Sequence, residues 1–248
     1  MAKKKSKRKS TLSPSKFKVT GAHAKLSVDS KKEKLYYFGT NVESEKAEEV
    51  AGSEGADILG VARGDVKVGK PSIKYDFYSI YDAELNISFL RMQSQEIGVT
   101  EGVKGALIGR DVYPSKKKGS FYSVKFDMVE LFEITRNDGM TLDGRTGGPA
   151  HTIEKLLKKP GKKKATPAWI KKNKISSGKF NSIEKVIKAV SKMAGQKPSG
   201  AKRITSHTLA FKKLEGYYMP VYYVRVRAAD KSQTLKINAI DGSVSIAV

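Results

Sequence analysis

The sequence predicts an α+β protein of two antiparallel meander-type β modules, each with a packed helix, joined by a basic flexible linker. Three observations carry that prediction. The last stretch, Gly216 to Val248, is rich in aromatic and β-branched residues and alternates apolar with polar ones, the period of a half-buried strand. A weaker copy of its layout lies at Ser72 to Val112. Between them one segment carries a clean helical stripe of apolar residues. The expected divisions are a basic tail over 1–15, an N-terminal β-rich α+β domain over 16–149, a basic linker over 150–180 and a C-terminal α+β module over 181–248. A length of 248 residues allows one large domain or two modest ones, each able to bury a core.

In chain order, Met1 to Ser15 is lysine-rich and nearly free of apolar residues, so it is expected to be disordered when unbound. Phe17 to Val28 alternates and predicts a strand, with Leu35 to Phe38 pairing back as a second. Ser44 is placed to cap a short acidic helix through Val50, and Gly52, Gly55 and Gly60 argue against a longer one. Gly64 to Pro71 nearly matches a phosphate-binding loop. Pro71 stands where a Ser or Thr would hold magnesium, and a strand follows where the loop needs a helix N-terminus, so that reading is rejected. Ile80 to Leu85 then matches Val221 to Val226 in layout, and Val99 to Val112 mirrors Leu235 to Ile246. Lys116 to Gly119 forms a basic loop tip, and Phe121 to Ile134 predicts a long strand or strand pair. Arg136 to Pro149 is turn-rich and reads as a flexible connection.

Pro160, Gly161 and Pro167 are expected to prevent regular structure in the linker. Asn181 or Ser182 then caps a helix whose Ile183, Val186, Ile187, Val190, Met193 and Ala194 form one stripe, with Gly195 as its stop. This stripe is expected to pack on the terminal meander, which Arg203 to Lys213 enters. In that meander Val224 and Val226 share one face, and Arg225 and Arg227 the other. Leu235, Ile237, Ala239 and Ile240 form the return strand, Asp241-Gly242 supplies a tight turn, and Val244 and Ile246 close the set.

The helix over Ile183 to Met193, the aromatic strand over Tyr217 to Arg227 and the hairpin over Leu235 to Val244 together resemble a PepSY-type module. The resemblance covers roughly a quarter of the chain, with a degraded second copy in the N-terminal half. Related modules accompany proteases, membrane proteins and, in archaea, DNA-translocating ATPases. The resemblance implies a protein partner at the C-terminal sheet, in a regulatory module docking on an enzyme or such an ATPase. It carries over no catalytic residue, and this chain departs from the usual setting in showing no signal or membrane segment.

Composition excludes several chemistries. The chain has no cysteine, which removes disulfides and thiolate metal sites. His23, His151 and His207 are far apart and show no zinc spacing. Asp76, Asp82 and Glu84 are weighed as the carboxylates of a metal-dependent nuclease. They lack a convincing accompanying pattern and read as the solvent face of a strand. No catalytic, metal or cofactor site is therefore expected, and no enzyme. No apolar run reaches the roughly 18 residues of a membrane span, and no apolar stretch follows the basic N-terminus as a secretory signal would require. The expected compartment is the cytoplasm, or the nucleus where one exists.

The net charge of +23 is the strongest functional signal. Lys3, Lys4, Lys5, Lys7, Arg8, Lys9, Lys16 and Lys18 lie within the first 18 residues, without an acid. Lys155, Lys158, Lys159, Lys162, Lys163, Lys164, Lys171, Lys172 and Lys174 lie within residues 155–174, again without an acid. The other 210 residues carry 31 basic and 25 acidic groups, so the globular parts are ordinary. Lysine tracts of this density bind a phosphate backbone by releasing counterions, with little regard for base sequence. A non-enzymatic nucleic-acid-binding protein is expected, with Arg225 and Arg227 extending the contact surface. Trp169, the sole tryptophan, either stacks on an exposed base or anchors the linker to a domain surface. The competing readings of the charge are a solubility tail, a general cationic bias of the source organism and an anionic membrane surface.

Overall fold

The structure, a computed structural model, describes residues 12–247. In chain order its elements are β1 (Ser27–Asp29), β2 (Glu33–Tyr37), α1 (Ser44–Leu59), β3 (Lys67–Val68), β4 (Ser72–Val99), β5 (Gly105–Ile108), β6 (Asp111–Lys118), β7 (Phe121–Asp143), α2 (Glu154–Leu157), β8 (Lys163–Lys164), α3 (Pro167–Lys172), α4 (Ile183–Ala194), β9 (Ala201–Ala228), β10 (Lys231–Asn238) and β11 (Val244–Ile246). The strands pair in the order β11-β10-β9-β4-β7-β6-β5; β1, β2 and β3 also pair with β9, and β8 pairs with β2.

This overturns the expected pair of helix-backed meander modules. Strand makes up 49% of the described residues against 20% for helix, so the sheet dominates. β4 and β9 each run 28 residues without a break, where the sequence reads as separate short strands. Gly216 illustrates why. It looks like a strand boundary but sits mid-strand, where an added Cβ would lie 2.7 Å from Leu35 Cδ2 and 2.9 Å from Phe77 Cε2. Side chains of the flanking strands β2 and β4 fold over the backbone there, and only glycine leaves room. β7 likewise continues to Asp143, into the stretch expected to be a flexible connection.

Two compact units divide the described chain. Residues 12–28, 85–136 and 194–209 form one, and residues 29–84, 137–193 and 210–247 form the other. Neither is one continuous segment, because β4, β7 and β9 each contribute to both.

In the first unit, Ile87, Phe89, Ala201 and Ile204 form a core against Ala24, Phe132 and Ile134. Phe89 stacks on Phe132 at 5.0 Å, and the Arg91 guanidinium lies 4.6 Å over the same ring while binding Glu130. Phe17 to Val28 is not the predicted strand. Only Ser27–Asp29 is extended and paired, and the Ala24 amide reaches the Ile204 carbonyl at 2.8 Å.

The second unit holds the terminal meander. Leu235 pairs with Val224 and with Ile246, and Ile237 pairs with Tyr222 and Val244, all antiparallel. The helix covering its valine face is α1 rather than α4: Ala47, Ala51 and Leu59 pack against Val224, Val226, Leu235 and Ile237. α1 runs through Gly52 and Gly55 to Leu59 instead of stopping at Val50, with Ser44 as its first residue and not its cap. Gly55 is the contact point, since a Cβ there would lie 2.9 Å from Val226 Cγ1. Gly60, at φ +69°, ends the helix, and Lys231 Nζ donates to the Leu59 carbonyl at 3.0 Å, a cation at the negative end of the helix dipole. α4 spans the predicted residues and buries Ile183, Val186 and Val190.

Two glycines on one helix should therefore respond oppositely to alanine. At Gly52 the nearest atom to an added Cβ is Val68 Cγ2 at 3.4 Å, ordinary contact. Gly52→Ala is expected to raise unfolding free energy in urea by about 0.5–1 kcal/mol through helix propensity. Gly55→Ala forces the stiff Val226 aside and is expected to lower it by about 1–3 kcal/mol.

Candidate nucleic-acid interface

The expected flexible linker is folded. Ala150, Leu156 and Leu157 enter a core with Tyr78, Ile80, Tyr217, Met219 and Val221. Lys163 and Lys164 then form β8, opposite Tyr37 and Tyr36 of β2, and β2 pairs parallel with β9 through Tyr36–Tyr217. Pro167 opens α3 at a position where no amide donor is needed, and Thr166 Oγ1 accepts from the Trp169 amide at 3.2 Å. The proline expected to break structure thus starts a helix. The main chain leaves this region alongside β4, where the Tyr75 amide donates to Lys174 O and the Ser176 amide to Tyr75 O, each at 2.9 Å.

Trp169 fixes the segment in place. Its ring stacks on Tyr37 at 4.2 Å and 17°, meets Tyr75 edge-on at 4.8 Å and leans on Tyr218 at 5.5 Å. This is the anchoring arrangement of the two weighed for it. Asn173 adds a bond to the Trp169 carbonyl at 2.7 Å.

The lysines fan out from this anchored edge. Lys159, Lys163, Lys164, Lys171, Lys172 and Lys174 are exposed, while Lys162 is half-buried with its ammonium 5.0 Å over Tyr36 and 5.1 Å over Tyr217. Lys158 pairs with Glu154 at 2.6 Å; among the described residues it alone of the nine lysines in 155–174 has a carboxylate within ion-pair distance. Consecutive strand residues point to opposite faces, so Lys163 and Lys164 project on either side of the sheet edge. Lys164 borders a cleft of about 450 Å³ with Glu33, Lys34, Leu35 and Tyr36. Lysines on an edge strand also block pairing with a second sheet.

Arg225 and Arg227 are exposed on β9, opposite the buried Val224 and Val226, as the alternation predicts. Arg225 donates to Ser232 Oγ at 3.3 Å. Lys3, Lys4, Lys5, Lys7, Arg8 and Lys9 lie outside the described residues.

On the arginine side of β9 lies a polar cluster that the sequence reading missed. The Tyr223 hydroxyl donates to Asp76 Oδ1 at 2.7 Å and lies 3.3 Å from Ser176 Oγ. Lys236 forms an ion pair with the other Asp76 oxygen, and Lys74 sits 5.0 Å over the Tyr223 ring. Asp76 is only 2% exposed, which corrects its assignment to a solvent face. The signal was present: a carboxylate inside the aromatic run Tyr75-Asp76-Phe77-Tyr78 requires a buried partner. Asp82 is exposed, and Glu84 pairs with Lys212 at 2.6 Å. Burial, with the Asp76 hydrogen bond, pushes the Tyr223 phenol up to about 12 against the opposing Ser176 contact. Burial, with Glu184 and Glu33 nearby, pushes Tyr218 up to about 12. Burial also raises Tyr217, Tyr78 and Tyr81 well above the ordinary phenol range.

Among the described residues no three His, Asp or Glu side chains converge as a metal site, and no helix is long and apolar enough to cross a membrane. Comparison with protein-family models, curated proteins and solved structures gives no match for this chain.

Two outcomes are expected for the buried cluster. Lys236→Met strands the Asp76 carboxylate and should cost about 3–5 kcal/mol in denaturant unfolding. Asp76→Asn should cost less, because the Lys236 side chain is 14% exposed and reaches water. The second outcome concerns pH. The folded-state pKa values of the buried tyrosines lie above their unfolded values, so folded protein holds protons that unfolded chain releases. Stability should be full below pH 10 and fall as pH rises through about 12. A phenolate absorbance titration should show these tyrosines ionising only with loss of the fold.

Proposed function

We propose that this chain binds nucleic acid without catalysing a reaction, through phosphate contacts made by the lysines of residues 155–174. The N-terminal basic tract adds phosphate contacts of its own, and Arg225 and Arg227 extend those of the lysine segment. One observation carries the reading: among the described residues, eight of the nine lysines in that segment lack a carboxylate within ion-pair distance, on a segment free of acid and anchored to the sheet edge by Trp169. A lysine ammonium is a compact point charge suited to diffuse neutralisation, whereas base-edge reading favours the planar arginine fork. The expected partner is a phosphate backbone, and the expected base specificity is slight. With Tyr37 covering one face of Trp169, the indole serves to place lysines rather than to read bases.

The test is a salt titration of binding to duplex DNA and to single-stranded RNA. The full chain is compared with a variant carrying Ser at Lys159, Lys162, Lys163, Lys164, Lys171 and Lys172. Each lost phosphate contact should reduce the slope of log affinity against log salt by about 0.9 on duplex, so the six changes together should reduce it by about 5. Absence of binding at low salt, or an unchanged slope in the variant, would refute the proposal.

A further inference from the structure

The first unit presents a second surface of different chemistry. β5 and β6 form a hairpin closed by Gly109 and Arg110, with Ile108 opposite Asp111 and Leu107 opposite Val112. Gly109 takes φ +67°, the left-handed conformation that this two-residue turn requires. Gly105 lets the strands close, since a Cβ there would lie 2.8 Å from the Tyr113 carbonyl oxygen. The inward side of β6 is spoken for: Tyr113 leans on Phe126 at 5.7 Å, and Ser115 Oγ donates to the Val103 carbonyl.

The outward side is unlike an ordinary solvated face. Leu107 is 70% exposed and Val112 73%, and as cross-strand partners they project together. The same face continues along β6 through Lys116 and Lys118. Across the register it reaches Phe121, 53% exposed, opposite Lys118. Lys125 follows on β7, whereas Lys117 is on the inward side, 5.6 Å over the Tyr122 ring. Of the four acids nearby, Glu101 and Asp111 are exposed, Asp111 beside Arg110 at the turn, and the other two have partners. Glu96 accepts from Ser123 and lies 3.4 Å from Lys118, and Asp127 accepts from Ser94. Four residues separate Val112 from Lys116, about 13 Å along a strand. The apolar tip therefore projects ahead of a lysine belt whose flexible stems reach forward.

We infer that this hairpin docks on an anionic lipid bilayer, with Leu107 and Val112 entering the headgroup–acyl boundary and Lys116 and Lys118 neutralising the headgroups. Charge complementarity selects an anionic surface and disfavours a second copy of this cationic chain. The aliphatic tip selects lipid over nucleic acid. Leucine and valine have no π-face to stack on a base and gain nothing beside a phosphate, but they gain free energy on leaving water. The surface belongs to the first unit and is separate from the lysine segment of the second.

The test is co-sedimentation of the full chain with vesicles of phosphatidylcholine alone and of phosphatidylcholine mixed with phosphatidylserine. The chain should partition onto the mixed vesicles and not the neutral ones. Leu107→Ser with Val112→Ser touches only exposed side chains; with the far-ultraviolet dichroism unchanged, it should lower partitioning on the order of 10-fold or more. Lys116→Ser with Lys118→Ser should lower it by about 30-fold. The six-lysine variant of residues 159–172 should keep its dependence on Leu107 and Val112, which separates this inference from the nucleic-acid reading. Equal partitioning onto both vesicle types would overturn the inference, as would a Leu107/Val112 variant that binds like the parent. It would also fall if that variant lost nucleic-acid affinity or an oligomeric state instead of vesicle binding.

Discussion

The second unit depends on one short run of β9, from Leu214 to Ala228, that is buried on both faces over Gly216 to Tyr222 and on one face beyond it. Val224 and Val226 are fully covered by α1 on one side, while Tyr217, Met219 and Val221 are covered by α2 and the turn before it on the other. A strand buried on both faces needs a layer on each, and no short module supplies two. The layers come from distant parts of the chain, residues 44–59 before the run and 150–157 well upstream of it. The same run hydrogen-bonds to β10, β2 and β3. Removing any of these pieces would leave apolar surface or main-chain donors exposed, so the unit is assembled from interleaved segments rather than from consecutive ones.

That constraint changes what the lysine segment can do. A polycation on a free linker must lose chain entropy each time it follows a phosphate backbone. Here the segment is already ordered by β8–β2 pairing and by the Trp169–Tyr37 stack, so part of that cost is met by folding. The lysines gain a fixed origin while their four-carbon stems stay free to adapt, an arrangement suited to neutralising charge without reading sequence. The edge position serves stability as well, because charged side chains keep β8 from recruiting another strand.

How far the sequence reveals this depends on whether a signal is local. The β10–β11 hairpin, the alternation of valines and arginines in β9 and the stripe of α4 as far as Val190 are set by residues a few positions apart and are found where the pattern places them, whereas Met193, predicted to continue that stripe, is exposed. Gly52 and Gly55 misled because glycine usually weakens a helix, yet here the missing Cβ is what lets α1 approach Val226. Pro167 misled because its effect depends on being first in a helix or inside one. Asp76 misled because its partners, Tyr223 and Lys236, come from the other end of the chain. In the candidate interface, the identity and charge of the lysines were legible from composition. Their attachment to the β2 edge was not, because Tyr37, Tyr75 and Tyr218 meet Trp169 only after the chain has folded.

The central claim is that an ordered lysine edge meets the phosphates. The most direct measurement is amine-reactive labelling of the full chain, read lysine by lysine by mass spectrometry with and without duplex DNA at low salt. The account predicts that DNA protects Lys159, Lys163, Lys164, Lys171 and Lys172, and leaves the equally exposed Lys31, Lys46 and Lys188 as reactive as before. Uniform protection of all exposed lysines, or protection of none in the 158–174 segment, would contradict it.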